Sequence, residues 1–188
     1  MFLEEGIAAF SMQQLAKNLD VSTVTLYKYF KNMDDIMQEL GVQIVTNLTE
    51  KLYMQPPAHA ESPTAVFLQQ LRDFYGTMLK ERRDLSLLLL FQIYTQNNSG
   101  KTPVDEHIRI YQEKWAERIN ALLSEMKSQG ELSDNLSVDD AFVFISQTNT
   151  ALVQYIGLSA NTQDPELEKV IQRFIEQTIR VTVLYLKS

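Results

Sequence analysis

The side chains best suited to chemistry crowd one short stretch. Thr23, Val24, Thr25, Tyr27, Lys28, Tyr29 and Lys31 follow closely on one another, with Ser11 a little upstream. Hydroxyls can donate to and accept from base edges and phosphates, lysines neutralise phosphates, and an exposed valine suits a thymine methyl. The set fits a surface that reads double-stranded DNA; the plain alternative is a solvated amphipathic helix. Catalysis has no comparable set. His59 and His107 lie in unrelated segments. Asp105-Glu106-His107 looks like a metal cluster on paper, but neighbours on a helix point in different directions, so a solvated helix start is the simpler reading. There is no Gly-rich phosphate loop, metalloprotease helix motif or nucleophile elbow. The absence of cysteine excludes disulfides, zinc ribbons and thiol catalysis. No enzyme activity, metal or cofactor is expected.

Two short helices must position the DNA-reading set. Ser11 can cap a first helix over Met12 to Leu19, and Ser22 a second over Thr23 to Phe30. Leu15, Ala16 and Leu19 share one face, and Leu26 and Phe30 face them across the pair. Ala16 is small enough to let the helices cross closely, and Val21 is expected to plug the junction. Val24, Tyr27, Lys28 and Lys31 then point away from Leu26, with Thr23, Thr25 and Tyr29 flanking them. This is a helix-turn-helix layout, whose second helix enters the DNA major groove.

Two runs carry a resemblance: Ser-Met-Gln-Gln-Leu-Ala at 11–16, and Val-Ser-Thr-Val-Thr-Leu-Tyr-Lys-Tyr-Phe-Lys-Asn-Met-Asp-Asp-Ile at 21–36. They resemble the DNA-binding head of the TetR family of bacterial repressors. The likeness covers roughly the first 40 residues. Beyond them the chain shares only that family's length and helical character. The resemblance implies DNA contacts by Ser11, Thr23, Val24, Thr25, Tyr27, Lys28 and Tyr29. Three departures stand out. Asp20 replaces the usual Gly of the turn, and Asp tolerates positive φ better than most residues. Met33 replaces a lysine that reaches the phosphate backbone. The family's first helix precedes Gly6 by more residues than Met1 to Glu5 supply, so either the chain starts late or this helix is a stub.

The formal charge of −7 argues against indiscriminate binding to nucleic acid. Locally the balance reverses, with Lys17, Lys28 and Lys31 against Asp20 alone between Ser11 and Lys31. A positive tip on an acidic body orients a protein toward DNA. So small a charge implies modest affinity per monomer and reliance on dimerisation. The longest apolar run, Leu85 to Phe91, is far too short for a membrane span. No secretion signal opens the chain, and a cytoplasmic protein with no membrane partner is expected.

The remaining chain reads as helix throughout, and the fold class is all-α with about nine helices. Residues 1–32 form a three-helix head whose first helix is incomplete. Residues 33–188 form a helical ligand-binding and dimerisation domain. A long helix from Met33 carries Ile36, Leu40, Ile44, Leu48 and Leu52 on one stripe until Pro56-Pro57; it links head to body. Ser62-Pro63, Thr102-Pro103 and Asp164-Pro165 are each a cap followed by proline at the first helical position. They open helices to about Arg83, to Gln129 at Gly130, and to the C-terminus. Asp84 is expected to cap a short helix to Gln96, and a further helix spans Val138 to Leu158. Val170, Phe174 and Val181 are assigned to the inward stripe of the last helix.

The last two helices are apolar over more than one face. Val143, Ala151, Tyr155, Val183 and Leu184 are left over after the core stripes are drawn. They can form a two-fold, four-helix dimer interface, or a core that uses both faces. The resemblance to TetR-like dimers implies the former. Phe67, Tyr75, Met78, Phe91, Tyr94, Tyr111, Trp115 and Phe144 are large adaptable side chains that can line an apolar ligand cavity or fill the core. Gln92 and Asn149 put amides on apolar stripes, where each needs a neighbouring helix, a dimer partner or a ligand polar group. The resulting expectation is a homodimeric repressor bound to a palindromic operator and released by a small-molecule effector. The competing class is a helical dimeric interaction protein with weak or lost DNA binding.

Overall fold

The computed structural model describes residues 11–53, 62–96, 102–161 and 165–188. The expected end of a first helix at Met1 to Glu5, Pro56-Pro57, His59 and the Asp164 cap lie outside the described residues, as does the Tyr94 side chain. Eight α-helices and one short 3-10 turn make up the described regular structure. They are α1 Met12–Asn18, α2 Thr23–Tyr29, α3 Met33–Tyr53, α4 Pro63–Lys80, α5 Arg82–Gln96, α6 Pro103–Ser128, α7 Val138–Leu158 and α8 Pro165–Lys187. The all-α expectation holds, and none of these helices is long and apolar enough to cross a membrane.

Most starts follow from capping side chains. Ser11 accepts from the Gln14 amide at 3.2 Å, and Ser22 from Thr25 at 3.0 Å. Ser62 caps α4 with Pro63 behind it, and Ser137 caps α7. At α6, Thr102 and Asp105 bond reciprocally, each side chain accepting from the other's amide. One boundary differs from the sequence reading. Here α4 stops at Lys80 with Glu81 as its cap, and α5 starts at Arg82, so Asp84 lies in the first turn of α5 and caps nothing. Helical propensity runs unbroken through this junction, so a one-residue break leaves little local trace.

The body core lies between α4, α6, α7 and α8, around Phe67, Leu123, Leu152 and Ile156, all essentially inaccessible. Truncating any of these to alanine is expected to cost about 2–5 kcal/mol. Tyr75 is buried there too, and burial pushes its phenol well above the ordinary range. In α8 the inward set is Ile171, Ile175, Ile179, Thr182 and Leu186. Val170, Phe174 and Val181 point outward instead, a correction with a clear cause: α8 is apolar on two sides, and only packing decides which side is the core.

The link from α6 to α7 is held from three directions. Lys127 Nζ donates to the carbonyls of Ser133, Asp134 and Leu136 at 2.8, 3.0 and 3.1 Å. The Ser133 amide donates to Leu186 O of α8 at 2.9 Å. Glu131 accepts from the Thr64 amide at 2.8 Å, an anion at the N-terminus of α4. Hydrogen bonding by Thr64, with Ser62 and Lys187 adding, holds the Glu131 carboxyl below its ordinary range.

Candidate nucleic-acid interface and effector cavity

The head is built on four buried side chains, Met12, Leu15, Ala16 and Leu26, with Phe30, Met33 and Ile36 packed against them. Its turn is a Schellman closure. Val21 N donates to Ala16 O at 3.0 Å and Asp20 N to Lys17 O at 3.3 Å, with Asp20 at φ 54°. Asp20 therefore does occupy the left-handed region that the turn requires. Two head expectations need correcting. Leu19 is 57% exposed and Val21 40% exposed, so neither is a core residue and Val21 plugs nothing. The closure puts Leu19 at the C-cap and Val21 past the end of the helix, where the chain turns away from the core.

Leu26 turns inward from α2, and the opposite face is open. Val24 is 66% exposed, Tyr27 57% and Tyr29 76%, an unusual display of large apolar groups on so short a helix. Lys28 and Lys31 are exposed beside them, while Thr23 and Thr25 are half-buried at the flank. Two of the hydroxyls already have local tasks. Ser11 Oγ caps α1, and Thr25 Oγ1 lies 2.8 Å from Ser22 Oγ. Each retains hydrogen-bonding capacity toward a further group. Met33 packs against both the head cluster and the cluster around Met37, Ile44 and Phe91. An apolar side chain there joins the head to the body, which gives the substitution of a phosphate-reaching lysine a structural role.

That join runs along α3. Its first turns complete the head core, and Met37, Ile44 and Leu48 pack against Phe91 of α5. Farther along, Val45, Leu48 and Leu52 line a cavity of about 500 Å³ between α3, α4, α5, α6 and α7. Met78, Gln92, Tyr111, Trp115 and Asn149, all singled out from the sequence, line it as well. Phe67 and Tyr75 are placed in the body core instead, and Phe91 in the α3–α5 cluster. Phe144 stacks on Tyr185 of α8 at a centroid distance of 4.0 Å. Ser146 and Phe142 also line the cavity, outside the set of ligand-lining candidates read from the sequence. Ser146 precedes Asn149 by three residues, so the helical repeat placed it on the same face.

The acidic run at α6 disperses onto separate partners. Asp105 serves the Thr102 cap, Glu106 pairs with Arg109, and His107 Nδ1 lies 2.9 Å from Pro103 O. On the last two helices, Val143, Tyr155, Leu158, Val170, Phe174, Val181 and Leu184 are each 40% or more exposed, and Ala151 is exposed with Val183 half-buried. Exposed apolar side chains are thus concentrated on these two helices.

The chain thus combines a helix-turn-helix head with a helical body that encloses a cavity. Residues 1–40 match the family described as bacterial regulatory proteins, tetR family. Solved structures share the fold along nearly the whole chain. The TetR family transcriptional regulator PfmR from Thermus thermophilus superposes with a TM-score of 0.67 at 17% identity, covering 95% of this chain and 92% of that one. The ketosteroid transcriptional regulator KstR2 of Mycobacterium tuberculosis gives 0.63 at 16% identity, over 96% and 88%. The fatty acid degradation regulator FadR from Bacillus halodurans gives 0.63 at 16%, over 97% and 88%. At these identities the structural likeness is one of fold. The head thus matches the tetR family model over residues 1–40, and the chain as a whole shares the fold of TetR-family structures.

Proposed function

We propose that the protein is a cytoplasmic homodimeric repressor that binds a palindromic operator through α2 and leaves it when a small molecule occupies the body cavity. The observation that carries the DNA reading is the exposed face of Val24, Tyr27, Lys28 and Tyr29, held by a helix-turn-helix core. Val24 and Tyr27 would meet base edges and thymine methyls. Lys28 and Lys31 would meet phosphates, with Ser11, Thr23, Thr25 and Tyr29 fixing the register. Dimerisation would bury the outward apolar residues of α7 and α8, and would supply the second head that so small a positive tip needs.

Release follows from the sharing of α3. One end of it completes the head core and the other walls the cavity. A ligand that prefers one tilt of α3 selects the head spacing that goes with that tilt, and DNA binding shifts by the difference in ligand affinity between the two states. The test is a salt titration of binding to fragments of the organism's own genome. The double variant Tyr27→Ala, Lys28→Ala should lose most of the selected sites. Its salt slope should fall by about one per lysine–phosphate contact removed. Full affinity at physiological salt in the double variant would show that α2 is not the reading helix. It would favour the competing class, a dimer that works through protein partners.

A further inference from the structure

The effector cavity has a polar signature that points to the chemistry of its occupant. Ser146, Thr148, Asn149 and Thr150 of α7 follow one another closely, and the two threonines are committed to their own helix. Thr148 Oγ1 donates to Phe144 O at 2.8 Å and Thr150 Oγ1 to Ser146 O at 2.9 Å. Ser146 and Asn149 line the cavity together with Thr150, whose hydroxyl is already spent on Ser146 O. Ser146 Oγ and Asn149 Oδ1 are buried and have no hydrogen-bond partner among the described residues. Buried polar atoms without partners are uncommon, and an amide oxygen can be satisfied only by a donor.

The rest of the lining argues in the same direction. Leu48, Leu88, Met78, Trp115, Phe142 and Val153 make it mainly apolar, and no described lining residue is charged. An ion entering it would lose its hydration without gaining an opposite charge. Cations line a second, smaller cleft of about 190 Å³, which shares Leu52, Phe74, Tyr111 and Trp115 with this one. Two of these cations already have partners: Lys51 pairs with Glu81 at 2.7 Å and Arg118 donates to Gln70 at 3.0 Å.

We infer that the cavity takes an uncharged, largely apolar molecule bearing a hydroxyl or N–H group that donates to Asn149 Oδ1, with Ser146 beside it. This rests on the effector role proposed above for the same cavity. Its volume falls within the range of cavities that enclose small organic ligands. Discrimination comes from the buried acceptor: a ligand without a donor leaves it unsatisfied, and a charged one is desolvated without compensation.

Trp115 is the single tryptophan of the chain and stands in the cavity wall, so its fluorescence reports occupancy directly. The full-length protein is titrated with four non-absorbing probes of one chain length: decan-1-ol, decyl methyl ether, decanoate and decylammonium. The alcohol should shift Trp115 emission saturably and bind about fivefold or more tighter than the ether, and tighter than either ion. In Asn149→Leu the alcohol should lose that advantage while the ether still binds. In Asn149→Asp the preference should move to decylammonium, a gain that a merely unfolded variant cannot show. Decanoate or decylammonium binding best to the wild-type protein would overturn the assigned ligand class and leave the effector role standing. So would an alcohol advantage that survives in Asn149→Leu. A Trp115 signal that none of the four probes moves would overturn the cavity as an effector site, and this inference with it.

Discussion

Gly41 of α3 and Val104 of α6 stand so close that a Cβ on the glycine would fall 2.6 Å from Val104 Cγ2. The same atom would lie 3.2 Å from Phe91 of α5. The helix that joins head to body is thus seated on its neighbours through a missing side chain. Val104 is buried and β-branched, so it can yield little. On helix propensity alone Gly41→Ala would stabilise by about 1 kcal/mol. Overpacking of the crossing costs about 1–3 kcal/mol. The variant is expected to be less stable by about 1 kcal/mol in urea unfolding, and Val104→Ala should rescue it. A stabilised Gly41→Ala would show that α3 can shift freely at this crossing.

The left-handed residue of the head turn gives a second expectation. With Asp20 at φ 54°, Asp20→Gly should be neutral or slightly stabilising. Asp20→Val should cost about 1–2 kcal/mol, because a β-branched residue is poorly tolerated there. Thermal unfolding of the two variants distinguishes these outcomes. Equal losses would mean that the Asp20 carboxylate, and not the backbone, is what the turn needs.

The outward face of the last two helices can be tested without touching the core. Val181 and Leu184 are 54% and 62% exposed, so Val181→Glu, Leu184→Glu should leave helical content unchanged. Sedimentation should then report a monomer at concentrations where the wild-type protein sediments as a dimer, and DNA affinity should fall with it. A wild-type protein that is itself monomeric would remove the paired-head account.

Glu131 supplies a pH dependence. Its carboxyl titrates below the ordinary range in the folded protein, because Thr64 hydrogen-bonds the charged form. The stabilisation is therefore present above the unfolded pKa and is lost as pH falls through the depressed folded value. Glu131→Gln should be less stable than wild type at neutral pH, and the difference should shrink on acidification. Urea midpoints measured from neutral pH downward check this. A gap that stays constant with pH would place its origin in packing rather than charge.

How much of this was legible beforehand depends on the range of the forces involved. Caps are local, and Ser11, Ser22, Ser62 and Thr102 all cap where their spacing indicates. The positive φ at Asp20 was legible too, because the turn geometry follows from a few adjacent residues. Packing is not local. Periodicity shows that Phe67 and Tyr75 lie on an apolar face, but not that this face meets the core while Tyr111 and Trp115 meet the cavity. The two apolar sides of α8 could not be told apart for the same reason. The Glu131–Thr64 bond joins residues far apart in sequence and left no trace in either segment.

The central claim is that two copies of the Val24, Tyr27 and Lys28 face read paired half-sites. Selection of bound duplexes from a random DNA pool, followed by sequencing, tests it most directly. The account predicts enrichment of an inverted repeat whose half-sites lie on successive major grooves, about 34 Å apart, and loss of that enrichment in the Tyr27→Ala, Lys28→Ala protein. A pool that emerges unenriched, or enriched for a lone half-site without its mirror image, would contradict it.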